Sequence, residues 1–230
     1  RSVASSTNER TIIFTILPPG VTCGNSSPVE KDIKRPDSEA LCIIAVCNSF
    51  VFDWLSRQLV SANINQFILR RIPFPDIEKI KKFLAHQALR LVTNNKSYEE
   101  IAKKQLSKEK VSLPLIDNNK ERIKVAASID AVCAGAYGIE ENEYKYLLES
   151  FSRYENLKEQ IEANMAAYKE LKEIKIEKFM KKHDLYHAIE RVTDVPVASR
   201  IIELPEQKGQ QDLFGKQSIE EKPKKKGKKK

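Results

Sequence analysis

Thr11 to Leu17 reads TIIFTIL and runs directly into Pro18-Pro19-Gly20. Seven β-branched or apolar residues closed by a Pro-Gly turn predict a strand, and Val21 to Asn25 is expected to continue as its partner after the turn. Downstream, Asp37 or Ser38 caps a predicted helix through Leu59, because Leu41, Ile44, Ala45, Asn48, Phe52, Leu55 and Leu59 recur at intervals of three and four. That helix is expected to lie on a sheet. Asn63 to Arg71 alternates, with Ile64, Phe67 and Leu69 apolar among polar neighbours, until Pro73 and Pro75 stop it. This predicts a short edge strand or an extended exit segment, and residues 1–76 are expected to form a small α/β part.

From Asp76 onward the periodicity becomes helical. Asp76 to Leu91 places Ile77, Ile80, Leu84 and Leu91 on one face, with Asp76 as N-cap. Tyr98 to Leu106 reads as a shorter helix and Ser107 to Asp117 as a connector. Asn119 to Tyr137 reads as an amphipathic helix ended by Gly138, and Glu140 to Phe151 follows with carboxylates at its start. Leu157 to Val192 has no Gly or Pro and many Glu and Lys at four-residue offsets, so it reads as one long helix or a broken pair. A short strand is expected at Arg200 to Leu204, and a disordered, Lys-rich tail from Glu206. The expected fold class is α+β. Its parts are an α/β segment over 1–76, a helical region over 77–205 and the tail over 206–230.

The chain of 230 residues carries 40 Lys plus Arg against 32 Asp plus Glu, a formal charge of +8, and 41% of it is apolar. That apolar share excludes disorder throughout. The charge points to nucleic acid less than it first suggests. Lys222, Lys224, Lys225, Lys226, Lys228, Lys229 and Lys230 supply seven positive charges and leave residues 1–221 at +1. A lysine run attracts phosphate without reading sequence. No apolar stretch approaches the roughly 18 residues of a membrane span. Arg1 opens the chain with no Met and no apolar signal core behind it, so nothing marks secretion, and a cytoplasmic piece of a longer chain is expected.

Catalytic patterns are missing. Cys23, Cys42, Cys47 and Cys133 sit among apolar neighbours without CxxC spacing and read as reduced core residues. His183 and His187, four apart, have metal-ligand spacing but no third ligand nearby, and read as a helix surface. Seven glycines include no phosphate-cradling loop, and no Ser, His and Asp form a nucleophile pattern. The segment itself is therefore expected to be non-catalytic, with no cofactor of its own.

Three stretches in order carry a family resemblance: Ser5-Ser6-Thr7-Asn8-Glu9-Arg10-Thr11 before the apolar run; Cys47-Asn48-Ser49-Phe50-Val51-Phe52-Asp53-Trp54-Leu55-Ser56-Arg57-Gln58; and Ser61-Ala62-Asn63-Ile64-Asn65-Gln66-Phe67 leading to Ile72-Pro73-Phe74-Pro75. Together they resemble the C-terminal target-recognition region of fused restriction-modification DNA adenine methyltransferases, with a TaqI-type specificity domain. The strand into "IPFP" is also similar to type I restriction specificity subunits. Ile129 to Phe151 is similar to the helical segment that follows in the fused enzymes.

The resemblance implies a bacterial phage-defence protein whose parent polypeptide methylates adenine from S-adenosylmethionine and in some members also cleaves DNA as a Mg-dependent endonuclease. This chain lacks the methyl-donor loop, the catalytic Pro-Pro motif and any nuclease signature, so it corresponds to the DNA-reading part.

Phosphate contacts fix register on DNA and base-edge contacts read sequence; Arg suits guanine, and Asn or Gln suits adenine. Asn8, Arg10 and Thr11 precede the first strand, and Arg57, Gln58, Ser61, Asn63, Asn65 and Gln66 cluster after the long helix. These are the candidate contacts to double-stranded DNA. Their alternative is structural: turn chemistry for Ser and Asn, pairing of Arg57 with Asp53 four residues earlier, and a buried Arg10 paired with Glu9 or Asp53. In the tail, Gln210-Gln211-Asp212-Leu213-Phe214 fits the pentapeptide by which bacterial proteins bind the sliding clamp, through Gln210, Asp212, Leu213 and Phe214. The rival function is a helical interaction module that binds a methyltransferase or nuclease subunit without reading DNA.

Overall fold

Asn48 and Ser49 divide the helix that apolar spacing predicts over residues 37–59. The computed structural model describes residues 2, 4–30, 34–60, 63–152 and 157–184. In it the stretch forms α1 (Asp37–Cys47) and α2 (Phe50–Arg57), bent by 62°. Ser49 Oγ donates to Val46 O at 2.7 Å and accepts from Phe52 N, which closes one helix and caps the next. Phe50 N, in the first turn of α2, donates to Asp130 Oδ1 at 2.6 Å. The Asn48 carboxamide leaves the helix altogether and bonds the backbone of Phe14.

The chain continues through α3 (Gln66–Leu69), α4 (Lys81–Val92), a 3-10 turn (Lys96–Tyr98), α5 (Glu99–Leu106), α6 (Asn119–Ala136), α7 (Glu141–Glu149), α8 (Leu157–Ile174) and α9 (Ile176–His183). Asn118 caps α6 by accepting from Glu121 N, and Glu140 with Glu143 forms a capping box on α7. The predicted long helix breaks at Lys175, whose φ of 67° lies where L-residues rarely sit. The break turns α9 back so that Phe179 is buried, with its ring 6.4 Å from that of Phe83 on α4.

The most extensive helix pairs are α1 with α4 and α6 with α8. Leu41, Val46, Leu84 and Leu89 are fully buried, each contributing about 1.5–3 kcal/mol. The small-residue end of α6 lets α8 come close: a Cβ on Gly135 would lie 3.3 Å from Leu171 Cδ2. One apolar cluster extends from Ala4 and Ile12 through Ile72 and Ile80 to Tyr168 and Phe179. Residues before and after position 76 therefore share a core.

The expected α/β part is not found. Among the described residues no sheet forms, and only Pro36 and Asn63 make isolated bridges. Ile12 to Leu17 does alternate inward and outward, but the side chains of Asp53, Asn48 and Tyr98 take the backbone bonds of its even residues where a neighbouring strand is expected. The turn forms, with Gly20 at φ 81° as the residue after Pro19 in a type II turn requires. Val21 then runs into solvent, 51% exposed, so the expected partner strand is absent. The predicted 63–71 edge strand is instead α3, because Asn65 Oδ1 accepts from Ile68 N and starts a helical turn. Helix propensity and capping outweigh the two-residue alternation there.

Among the described residues no single helix is long and apolar enough to cross a membrane; α1 and α2 reach that length only as the bent, largely buried pair. Ser61, His187, the strand expected at Arg200 to Leu204, Gln210 to Phe214 and the lysine run lie outside the described residues.

Candidate nucleic-acid interface

Asp53 lies fully buried on α2 and gathers the N-terminal segment around it. Its carboxylate pairs with Arg10 Nε at 2.8 Å and Arg57 Nε at 3.8 Å, and accepts from Thr11 N at 3.0 Å and Ile12 N at 3.3 Å. Arg57 donates further to Asn8 O at 2.9 Å and Glu9 O at 2.8 Å, while Arg10 donates to Asn48 O and Ser49 O. Both guanidinium groups lie over aromatic rings, Arg10 at 4.5 Å from the Phe50 centroid and Arg57 at 3.8 Å from Phe151. Thr11 is buried with its hydroxyl on Ser5 O.

Nearby Asp130 is almost wholly buried, and its carboxyl is pushed up to about 7 by burial, against the pull of Arg10 and the bond from Phe50 N. The arrangement is a clamp that ties residues 8–12 to α2 and, through Phe151, to the segment that follows α7. Of the sequence candidates it collects Asn8, Arg10, Thr11 and Arg57, and the structural alternative for both arginines, pairing with Asp53, is present.

The remaining described candidates are exposed and stand outside the Asp53 cluster of bonds. Gln58 is exposed, with Nε2 on Trp54 O at 3.3 Å. Asn63 and Gln66 are exposed, and Asn65 is exposed while capping α3. Three further residues, which the alternating pattern hides inside a predicted strand or leaves unassigned, complete this patch. Phe67 is 72% exposed, and Arg70 and Arg71 follow it. Arg71 stands 6.0 Å from the Phe67 ring. Every other described arginine is engaged: Arg10, Arg35, Arg57 and Arg90 in ion pairs, Arg122 on Leu91 O. The side chains of Arg70 and Arg71 make no hydrogen bond or ion pair among the described residues. Adjacent arginines following an Asn cap are the sequence signal available for them.

Two hollows lie elsewhere. One, of about 630 Å³, is an apolar groove lined by Trp54, Leu55, Pro73, Tyr137, Tyr146 and Leu147, among others. Tyr137 OH donates to Pro73 O at 2.9 Å, and burial pushes its phenol up. The other, of about 180 Å³, is lined by Arg90, Lys124, Lys182 and His183 among others. Its polar groups serve the fold: Arg90 pairs with Glu121 at 2.7 Å, Gln87 donates to His183 O, and His183 pairs with Glu170. Among the described residues no three His, Cys, Asp or Glu side chains converge to hold a metal ion. Comparison with protein families, curated proteins and solved structures finds no match for this chain.

Proposed function

We propose that this chain is a non-catalytic, DNA-contacting segment of a bacterial restriction-modification adenine methyltransferase, and that it meets DNA through α3 and its flanks. The pair Arg70 and Arg71 carries the reading, because these two exposed guanidinium groups are engaged by no carboxylate among the described residues. A guanidinium with no carboxylate partner can take phosphate oxygens or the O6/N7 edge of guanine. Asn63 and Gln66 beside them supply amides of the kind that read adenine. Exposed Phe67 is suited to stack on, or wedge between, bases. In this reading Asn8, Arg10, Thr11 and Arg57 hold the fold that presents the patch. Methyl donor and Mg belong to other parts of the parent protein.

Binding of the full chain to a mixed-sequence DNA duplex across a salt series tests this. Removing one phosphate-neutralising cation lowers the log–log salt slope by about 0.9, so Arg70→Ala with Arg71→Ala should flatten it by about 1.8. An unchanged slope and affinity would refute the patch. A second reading, a helical module that docks a methyltransferase or nuclease subunit, is favoured by the groove around Trp54 and Tyr146. It predicts that Tyr146→Ala weakens subunit capture and leaves DNA binding untouched.

A further inference from the structure

Residues 12–17 carry the marks of a strand with one neighbour missing. Ile12, Phe14 and Ile16 turn toward the core, while Ile13 (47% exposed), Thr15 and Leu17 (37%) turn outward. In such a segment the N–H and C=O of one residue point to the same edge, and the next residue's point to the other. Side chains from the rest of the fold take most of the backbone groups on the edge formed by the even residues. Ile12 N donates to Asp53 at 3.3 Å; Phe14 N donates to Asn48 Oδ1 at 2.9 Å; Phe14 O accepts from Asn48 Nδ2 at 2.8 Å; and Ile16 O accepts from Tyr98 OH at 3.1 Å. The Asn48 carboxamide thus supplies the two bonds that a residue of a neighbouring strand would.

On the opposite edge, the backbone groups of Thr15 and Leu17 have no hydrogen-bond partner among the described residues. Natural edge strands are guarded by charges or prolines. Here no charged residue occurs between Thr11 and Val29, and Pro18-Pro19 only closes the C-terminal end.

We infer that this open edge docks a β-strand of a partner polypeptide, uncharged and apolar at alternate positions, through main-chain pairing at Thr15 and Leu17. Backbone donors and acceptors at two-residue spacing fit an extended chain and not a helix. Outward Ile13 and Leu17 fit apolar side chains on the same face of the incoming strand. The inference stands independently of DNA binding at α3.

Amide exchange by NMR on the full chain tests it, with a seven-residue peptide of alternating Val and Thr, flanked by a lysine at each end, as the probe. In dilute chain alone, the amides of Thr15 and Leu17 should exchange freely while those of Ile12 and Phe14 are protected. Saturating peptide should slow exchange at Thr15 and Leu17 at least tenfold and leave Ile12 and Phe14 as they were. Thr15→Pro, which removes the outward N–H, should abolish this. Leu17→Lys, placed at an already exposed position, should weaken it without touching the backbone bonds. Prior protection of both amides in dilute chain, or no protection by the peptide, would overturn the inference. Protection that rises with chain concentration alone would assign the edge to a second copy and overturn a separate partner.

Discussion

Replacing Asp130 by Asn should stabilise the protein above neutral pH and remove most of the pH dependence of its stability between pH 5 and 8. The carboxyl is buried, and that burial raises it from an ordinary value of 3.8 to about 7. A group raised on folding stabilises the native state when protonated, and the contribution is lost as pH climbs through the folded value. At 1.36 kcal/mol per unit, the shift makes the ionised carboxyl cost about 4 kcal/mol by pH 8. Between pH 5 and 8 the linkage relation gives a loss of about 2.5 kcal/mol. Asn keeps the acceptor for Phe50 N and never ionises. Urea unfolding followed through the single tryptophan, Trp54, should therefore show native stability falling as pH rises while the variant's stays nearly level. Parallel pH profiles for the two proteins would refute the assignment of a neutral buried carboxyl.

Two further outcomes follow from the same interior. Asp53→Ala strands Arg10 and Arg57 beside the core and should cost about 3–5 kcal/mol; a loss below about 1 kcal/mol in urea unfolding would show that the clamp is dispensable. Cys23 is exposed, whereas Cys42, Cys47 and Cys133 are buried, and burial pushes the Cys47 thiol up to about 12 and Cys133 up as well. Since the thiolate is the reactive form, iodoacetamide at pH 8 should give one adduct by mass spectrometry until denaturant is added. Several adducts on the native protein would contradict the described burial.

Most of the helices are legible because their signals are local, in apolar spacing, Asn118 before α6, and Glu140 and Glu143 at α7, whereas α3 hides in an alternating pattern and α4 starts at Lys81 and not after the expected cap Asp76. The sheet is not, because TIIFTIL has strand composition, yet pairing is a property of neighbours that composition does not contain. Nor does spacing reveal that Asn48, placed on a helical face at four residues from Ile44, leaves it for Phe14. The same limit applies to the site. Arg10 and Arg57 are chemically fit for DNA, and only the burial of Asp53 between them shows that they are already engaged. Phe67 fits an apolar strand position in the alternating pattern, and its exposure follows from the Asn65 cap that starts α3.

The amide of Asn48 has one more consequence. A run such as TIIFTIL, uncharged and β-prone, has the composition of fibril-forming segments, which grow because every added strand exposes a fresh edge on each side. Here the side chains of Asn48, Asp53 and Tyr98 occupy one side from within the fold. The segment is monovalent: in the native state it terminates a stack and does not propagate one, so growth from it requires that these side chains first let go.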